Sequence, residues 1–233
     1  MPHCGFNFLL YVVTILCMSL LRAESFYMSK CVETDLQALL KFQNALILGR
    51  NDLTSWKGEE CCKWEGISCD NFTHHVIGLN HEPLNYTKGL RGKLDSSICE
   101  LQHLIFIKLS YNHLDGKIPD CMGSLGQLKE LKLSGNKLLS VIPSSLKNLS
   151  SLQTLDLSYN YDMISNDLEW LSHLSNLRYL DLSFVNLTLA VDWLLSISKL
   201  PSLSELHLTG CGLHQITPKS ISDMNTSILE KIV

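Results

Sequence analysis

The apolar positions of this chain repeat in a fixed register. Leu101, Leu104, Ile107 and Leu109 are matched by Leu125, Leu128, Leu131 and Leu133, and again by Leu149, Leu152, Leu155 and Leu157. Two further copies begin at Leu174 and Leu200, giving steps of 24, 24, 25 and 26 residues. Within each copy the last two apolar residues alternate with a polar one. That period of two belongs to a strand with one face inside, and it argues against an array of amphipathic helices. One short strand per repeat cannot bury its own leucines, so neighbouring repeats must stack. The expected fold class is therefore α/β, a right-handed solenoid with parallel strands lining a concave face. Asn112, Asn136 and Asn160 end each strand, where a side-chain amide can pair with backbone that stacking would otherwise bury unpaired. In the last two copies that place holds Val185 and Cys211. The valine predicts a weaker ladder there.

Between strands, Asn112-His-Leu-Asp-Gly116-Lys-Ile118-Pro119 follows the pattern NxLxGxIP, and residues 136–143 repeat it with Ser140 in the glycine place. Val76-Ile-Gly-Leu79 and Gly89-Leu-Arg-Gly92-Lys-Leu94 read as a degenerate first repeat with an insertion between them. Residues 162–173 and 188–199 lack the Gly-x-Ile-Pro turn and are expected to be helical on the convex side. Ahead of the repeats, Thr34-Asp-Leu-Gln37 has the form of a capping box, followed by Ala38, Leu39, Phe42, Ala45 and Leu46 on one helical face. Then come Leu53-Thr-Ser-Trp56 and Cys61-Cys62-Lys-Trp64-Glu-Gly66-Ile-Ser-Cys69.

These motifs resemble the N-terminal cap and repeats of plant extracellular leucine-rich-repeat receptors, in particular receptor-like proteins of the group that perceives a fungal xylanase elicitor. The cap resemblance spans residues 31–69, and the repeats carry it to the end of the chain. It implies disulfides pairing Cys31 with Cys61 and Cys62 with Cys69, although sequence alone leaves other connectivities open. A zinc site is the other reading of that cluster; adjacent cysteines and export both weigh against it. Cys99 and Cys121 lie 22 residues apart, close to one repeat, on the convex side of successive coils, and their spacing predicts a third disulfide. Cys211, in the asparagine column, is then a buried structural thiol.

The ends set the boundaries. The uncharged apolar run at residues 8–21 is short for a membrane span and reads as a signal peptide, residues 1–23. The cap follows at residues 24–73, and about six repeats at residues 74–227. Residues 228–233 fit the start of a further repeat, so the sequence reads as truncated within a strand. No later run reaches the length of a membrane helix. N-x-Ser/Thr sequons at Asn71, Asn85, Asn148, Asn186 and Asn225 support a glycoprotein. The formal net charge of −4, with both signs interspersed, excludes a basic nucleic-acid footprint.

The residues between the inward leucines should face solvent on the concave side. One column runs Phe106, Glu130, Thr154, Tyr179, Glu205, and the next Lys108, Lys132, Asp156, Asp181, His207. A third gives Tyr111, Gly135, Tyr159, Phe184, Gly210. Phe106, Lys108, Tyr111, Glu130, Lys132, Asp156, Tyr159, Tyr179, Asp181 and His207 are the candidate ligand contacts, for aromatic anchors beside segregated charge suit a protein or peptide. The plainer reading is that Lys132 and Asp156 neutralise each other across strands. Ser110, Ser134, Ser158 and Ser183 recur without variation and read as structural. No catalytic residue, metal site or cofactor is expected: Asp156 and Asp181 lie on an open face, and His207 has no nucleophile arranged with it.

The resemblance implies the ectodomain of a receptor that acts in signalling, in defence perception, with a co-receptor kinase as partner if the full-length form is membrane-anchored. Its place would be the apoplast, or the plasma membrane as part of a longer receptor. The alternative is a secreted inhibitor of a cell-wall-degrading enzyme, similar to polygalacturonase inhibitors.

Overall fold

The computed structural model describes residues 31–47, 53–83 and 89–213. The signal-peptide segment, Asn85, Asn225 and the expected start of a further repeat lie outside the described residues.

The leucine pattern sets the main sheet. Its seven strands are β1 (Ile67–Cys69), β2 (Val76–Asn80), β4 (Phe106–Lys108), β6 (Glu130–Lys132), β8 (Thr154–Asp156), β10 (Tyr179–Asp181) and β11 (Glu205–His207), side by side in that order. β1, from the cap, runs antiparallel to β2, and all later neighbours are parallel. Leu79, Ile107, Leu131, Leu155, Leu180 and Leu206 face one another in register across the sheet, buried in one continuous core.

A second sheet was not expected. β3 (Arg91–Lys93), β5 (His113–Gly116), β7 (Lys137–Val141) and β9 (Asp162–Ile164) form it in sequence order, from the NxLxG stretches and their equivalents. The expectation of helix over residues 162–173 is corrected accordingly. Its first part is β9, paired with β7, and only Glu169–His173 winds into a 3-10 turn. An edge strand offered by β7 captures a segment whose own pattern is too short to declare itself. Residues 188–199 do contain a helix, α2 (Trp193–Ser198). Ser140 holds φ +80°, as Gly116 does one repeat earlier. The serine thus keeps the backbone of the glycine it replaces, in a region that costs a residue with a Cβ.

Short 3-10 segments at Ser96–Glu100, Asp120–Ser124 and Ser144–Asn148 line the convex side, and Cys99–Cys121 joins the first two with a Cα separation of 5.9 Å. In the cap, Cys31 is bonded to Cys61 and Cys62 to Cys69, at Cα separations of 5.4 and 5.5 Å. The sulfurs of Cys31, Cys61 and Cys62 lie within 4.8 Å of one another, but all three are engaged in these bonds, which leaves no thiolate to hold a metal there.

The cap helix α1 spans Glu33–Asn44 and buries Leu36, Ala38, Leu39 and Phe42. Thr34 is not its N-cap. The helix starts two residues earlier, at Glu33 after Val32, with no side-chain cap, and Thr34 Oγ1 bonds instead to Asp35 Oδ1. What fixes the helix is tertiary. Asp35, 3% exposed, accepts a hydrogen bond from Val76 N at 2.8 Å and lies 3.1 Å from His75 Nδ1, tying α1 to the first strand of the main sheet. At the other end Leu46 bridges Gly92, whose φ of +116° and contact with the Ala45 carbonyl leave no room for a side chain.

The asparagine column stitches the coils together. Asn136 Nδ2 donates to Leu109 O in the preceding repeat at 2.9 Å, while its Oδ1 accepts from Leu114 N at 3.0 Å. Asn160 does the same with Leu133 O at 3.0 Å and Leu138 N at 3.1 Å. Val185 can do neither. Met163 N, which an asparagine there would engage, folds back on Asn160 O at 3.0 Å. Cys211 reaches the preceding repeat through Sγ to Leu182 O at 3.0 Å, with a longer contact to Thr209 O at 3.8 Å. Burial pushes its thiol up to about 11, so it stays protonated and can donate.

Two outcomes follow from this column. Asn136→Ala should lower the stability measured by urea unfolding by about 3 kcal/mol, because it strands buried amide and carbonyl groups of two repeats. Cys211 should resist a thiol-specific reagent in the native chain and react fully once urea unfolds it; rapid labelling of the folded protein would contradict its burial and raised pKa.

Candidate ligand-binding face

The strand register brings the outward columns together as contiguous strips. Phe106, Glu130, Thr154, Tyr179 and Glu205 lie in one row, and Lys108, Lys132, Asp156, Asp181 and His207 in the next. Parallel neighbours stand about 4.8 Å apart, so a ligand lying across the strands meets these side chains in succession.

Charge on this face is segregated along the solenoid, but the pairing differs from the expected one. Lys132 does not bridge to Asp156. Glu130 takes both lysines instead: Lys108 Nζ across the strands at 2.9 Å and Lys132 Nζ along its own strand at 3.0 Å. Residues i and i+2 of a strand share a face, and the glutamate is long enough to reach either way. Partial burial raises the Glu130 carboxyl, but the hydrogen bonds from Lys108 and Lys132 outweigh it and hold the group below its ordinary value. Lys108 also sits 5.6 Å from the centre of the Phe106 ring, which itself lies over Gly78. At this end Glu130 stands between two cations, and Glu82 adds a second negative charge near Lys132.

The other end is acidic and aromatic. Asp156 and Asp181 are direct neighbours across β8 and β10. Each turns Oδ1 along its own chain, Asp156 to Ser158 N and Oγ at 3.1 and 2.7 Å, Asp181 to Ser183 N at 2.8 Å. Two of the recurrent serines are thus explained, for Ser158 and Ser183 end the strand buried and engage the aspartate two places before; Ser110 and Ser134 are equally buried but follow lysines. Burial, together with the nearby Asp181, Asp156 and Glu205 charges, pushes the Tyr179 phenol up to about 12. His207 Nε2 lies 2.8 Å from Glu205 Oε1, with its ring 5.5 Å from that of Tyr179. Two like charges side by side on a sheet disfavour each other, and a cation supplied from outside would relieve them.

Tyr111 and Tyr159 stand at the rim, at the point where each strand turns away. Both have positive φ, 58° and 56°, as do Phe184, Gly135 and Gly210 in the same column. The turn demands this conformation whatever residue is present, because backbone bonds such as Tyr111 N to Ser134 O at 2.7 Å and Tyr159 N to Ser183 O at 2.8 Å fix it. The strain turns these aromatic rings outward. Tyr159, Phe184 and Tyr161 form a cluster with ring centres 4.9 to 6.4 Å apart. Tyr161 falls outside the strand register and is not among the residues picked from sequence. Its signal was another aromatic two residues beyond Tyr159.

The solenoid, the capped N-terminus and the in-register face are what the comparisons match. The sequence pattern of the family described as "Leucine-rich repeat region" covers residues 22–230. The chain belongs to the leucine-rich-repeat family. It is 40% identical over 213 residues to "Receptor-like protein EIX1" of Solanum lycopersicum, a match covering 85% of this chain and 20% of that protein. It therefore spans about a fifth of the length of this relative. Among solved structures it resembles "PEPR1-AtPEP1" (TM-score 0.67, 29% identity, 76% of this chain and 24% of that one). It also resembles the "BIR3 - SERK2 complex from Arabidopsis thaliana" (0.60, 27%, 76% and 99%) and "a plant ice-binding protein" (0.72, 27%, 84% and 61%). Other relatives are named as receptor-like proteins or receptor kinases, among them "Receptor-like protein EIX2" of Solanum lycopersicum and "Nodulation receptor kinase" of Pisum sativum. Among the described residues no helix is long and apolar enough to cross a membrane.

The Glu130 network gives a pH signature. A carboxyl held below its unfolded value stabilises the fold at neutral pH, and that contribution is lost as pH falls through the lowered value. The stability difference between the wild type and Glu130→Gln should be constant above roughly pH 5 and shrink below roughly pH 4. Urea midpoints measured across that range would show it; a difference independent of pH would contradict the network.

Proposed function

We propose that this chain is the recognition segment of a plant receptor-like ectodomain that binds a protein or peptide ligand across its concave face. The observation that carries it is the charge-segregated strip, with Lys108 and Lys132 at one end and Asp156 and Asp181 at the other. An extended peptide crossing the strands would place a carboxylate near the first pair and a Lys or Arg near the second, with Phe106 and Tyr179 flanking it. The likeness to EIX1 and to the PEPR1–AtPEP1 structure supports this reading, and likeness to the BIR3–SERK2 complex supports a co-receptor kinase as further partner. The placement that goes with it is extracellular, with residues 1–23 as signal peptide, and the chain acts by binding without catalysis. An ice-binding role gains no support on this face, where charged side chains at successive strand positions replace the flat, uncharged surface that ordered water would need.

An array of short synthetic peptides tests the reading. Peptides retained by the chain should carry a basic residue spaced from an acidic one, and Asp156→Asn with Asp181→Asn should weaken them about tenfold. Retention of the same peptides at the same strength by that double variant would reject the strip.

A further inference from the structure

The rim cluster of Tyr159, Tyr161 and Phe184 has no partner in the concave strip, and one sequon lies beside it. Asn186 follows Phe184 by two residues, and Val185 between them is fully buried. Phe184 and Asn186 consequently both face outward. Among the five sequons, Asn186 is the one with an aromatic residue two places before it; Asn71, Asn85, Asn148 and Asn225 have Cys69, Pro83, Leu146 and Asp223 there. Its geometry suits an acceptor. Asn186 is exposed, its Oδ1 takes hydrogen bonds from Thr188 N at 3.1 Å and Thr188 Oγ1 at 2.7 Å, and its Nδ2 has no bond to a described residue.

We propose that Asn186 carries an N-linked glycan whose innermost N-acetylglucosamine stacks on the exposed ring of Tyr161, against the edge of Phe184. In the attachment, Asn186 Nδ2 attacks the anomeric carbon of an oligosaccharide carried on a lipid diphosphate. The new N–C bond forms, the bond from that carbon to the diphosphate oxygen breaks, the lipid diphosphate leaves, and the nitrogen gives up one proton. After folding, the axial C–H groups of the first sugar present an apolar, weakly positive surface, which matches the electron-rich face of an aromatic ring. Tyr161 is 67% exposed and offers the free ring face, while half-buried Phe184, its ring centre 5.8 Å away and its plane tilted by 55°, packs between Tyr159 and Gly210 and walls the contact. Beyond it, Asn186 bridges Ile164, which pairs with the half-exposed Val141, and this apolar strip on the second sheet would lie under the outer sugars. The glycan then covers the flank of the solenoid and leaves the concave strip open.

The proposal rests on export and is independent of which ligand the concave face binds. Its test is expression of the full chain in plant cells. Site-resolved mass spectrometry should find Asn186 occupied. A chain glycosylated at Asn71 or Asn148 but bare at Asn186 overturns the proposal alone, and a chain bare at every sequon overturns export with it. Docking is read from thermal unfolding. Asn186→Gln should lower Tm by about 2–4 °C, the shift expected from a contact as strong as an aromatic pair in a domain of this size. The same substitution in a Tyr161→Ser/Phe184→Ser background should leave Tm nearly unchanged; an equal drop in both backgrounds means a glycan held in solvent and rejects the stacking. Should the aromatic variants fail to fold, both wild type and Asn186→Gln are trimmed enzymatically to a single sugar per site. The Tm difference between them should survive trimming, and its disappearance would reject stacking of the innermost sugar.

Discussion

Every outward residue discussed above is placed by one constraint: the strand must end, and its successor must stack on it, without leaving buried backbone unpaired. Asn112, Asn136 and Asn160 meet it by donating to one carbonyl and accepting from one N–H of the preceding repeat, which holds each repeat to the one before at points separated by a turn. The residue before that column bonds through its own N–H to the next repeat, as Tyr111, Tyr159 and Phe184 do to Ser134, Ser183 and Thr209, and at that turn all three hold a positive φ that sets their rings at the rim, whether an asparagine or Val185 follows. Where Val185 interrupts the column, the backbone must recover locally, and the return of Met163 N to Asn160 O is that recovery. The ladder therefore shapes the surface as well as the core.

Much of the fold could be read from the sequence because its leucines obey a period that only one backbone geometry satisfies. The register of the concave columns followed directly from that period, down to the pairing of Asp156 with Asp181. Elements whose stability comes from neighbours were less legible. β9 has three residues and no strong pattern; it is a strand because β7 lies beside it. Thr34 has the composition of a helix cap, yet α1 begins before it, because the fixed point of that helix is Asp35 reaching a backbone amide 41 residues away. A local motif competes poorly with a buried carboxylate that would otherwise lack partners.

The same division holds for the binding face. Which residues share it follows from alternation along the strands, but which of them pair does not. Lys132 had two acidic neighbours within reach, Asp156 across the strands and Glu130 two residues away on its own strand. The longer glutamate prevailed, and the shorter aspartate was already committed through Oδ1 to Ser158. That choice has a functional consequence. With Glu130 holding both lysines, Asp156 feels Lys132 through space alone, and among the described residues neither Asp156 nor Asp181 forms an ion pair.

Such a face cannot be optimal for the isolated chain. Adjacent carboxylates on neighbouring strands and tyrosine rings held outward at positive φ both cost stability that aspartate-to-asparagine or tyrosine-to-glycine changes would recover. Features that a fold retains against its own stability mark where it meets something else. Here they fall into two groups separated by the rim: charges that ask for a cation on the concave side, and aromatic rings that ask for an apolar cover on the flank. A single ligand lying in the concavity would satisfy the first and leave the second wet. The arrangement is explained more economically by two occupants than by one, the second being held by the chain itself.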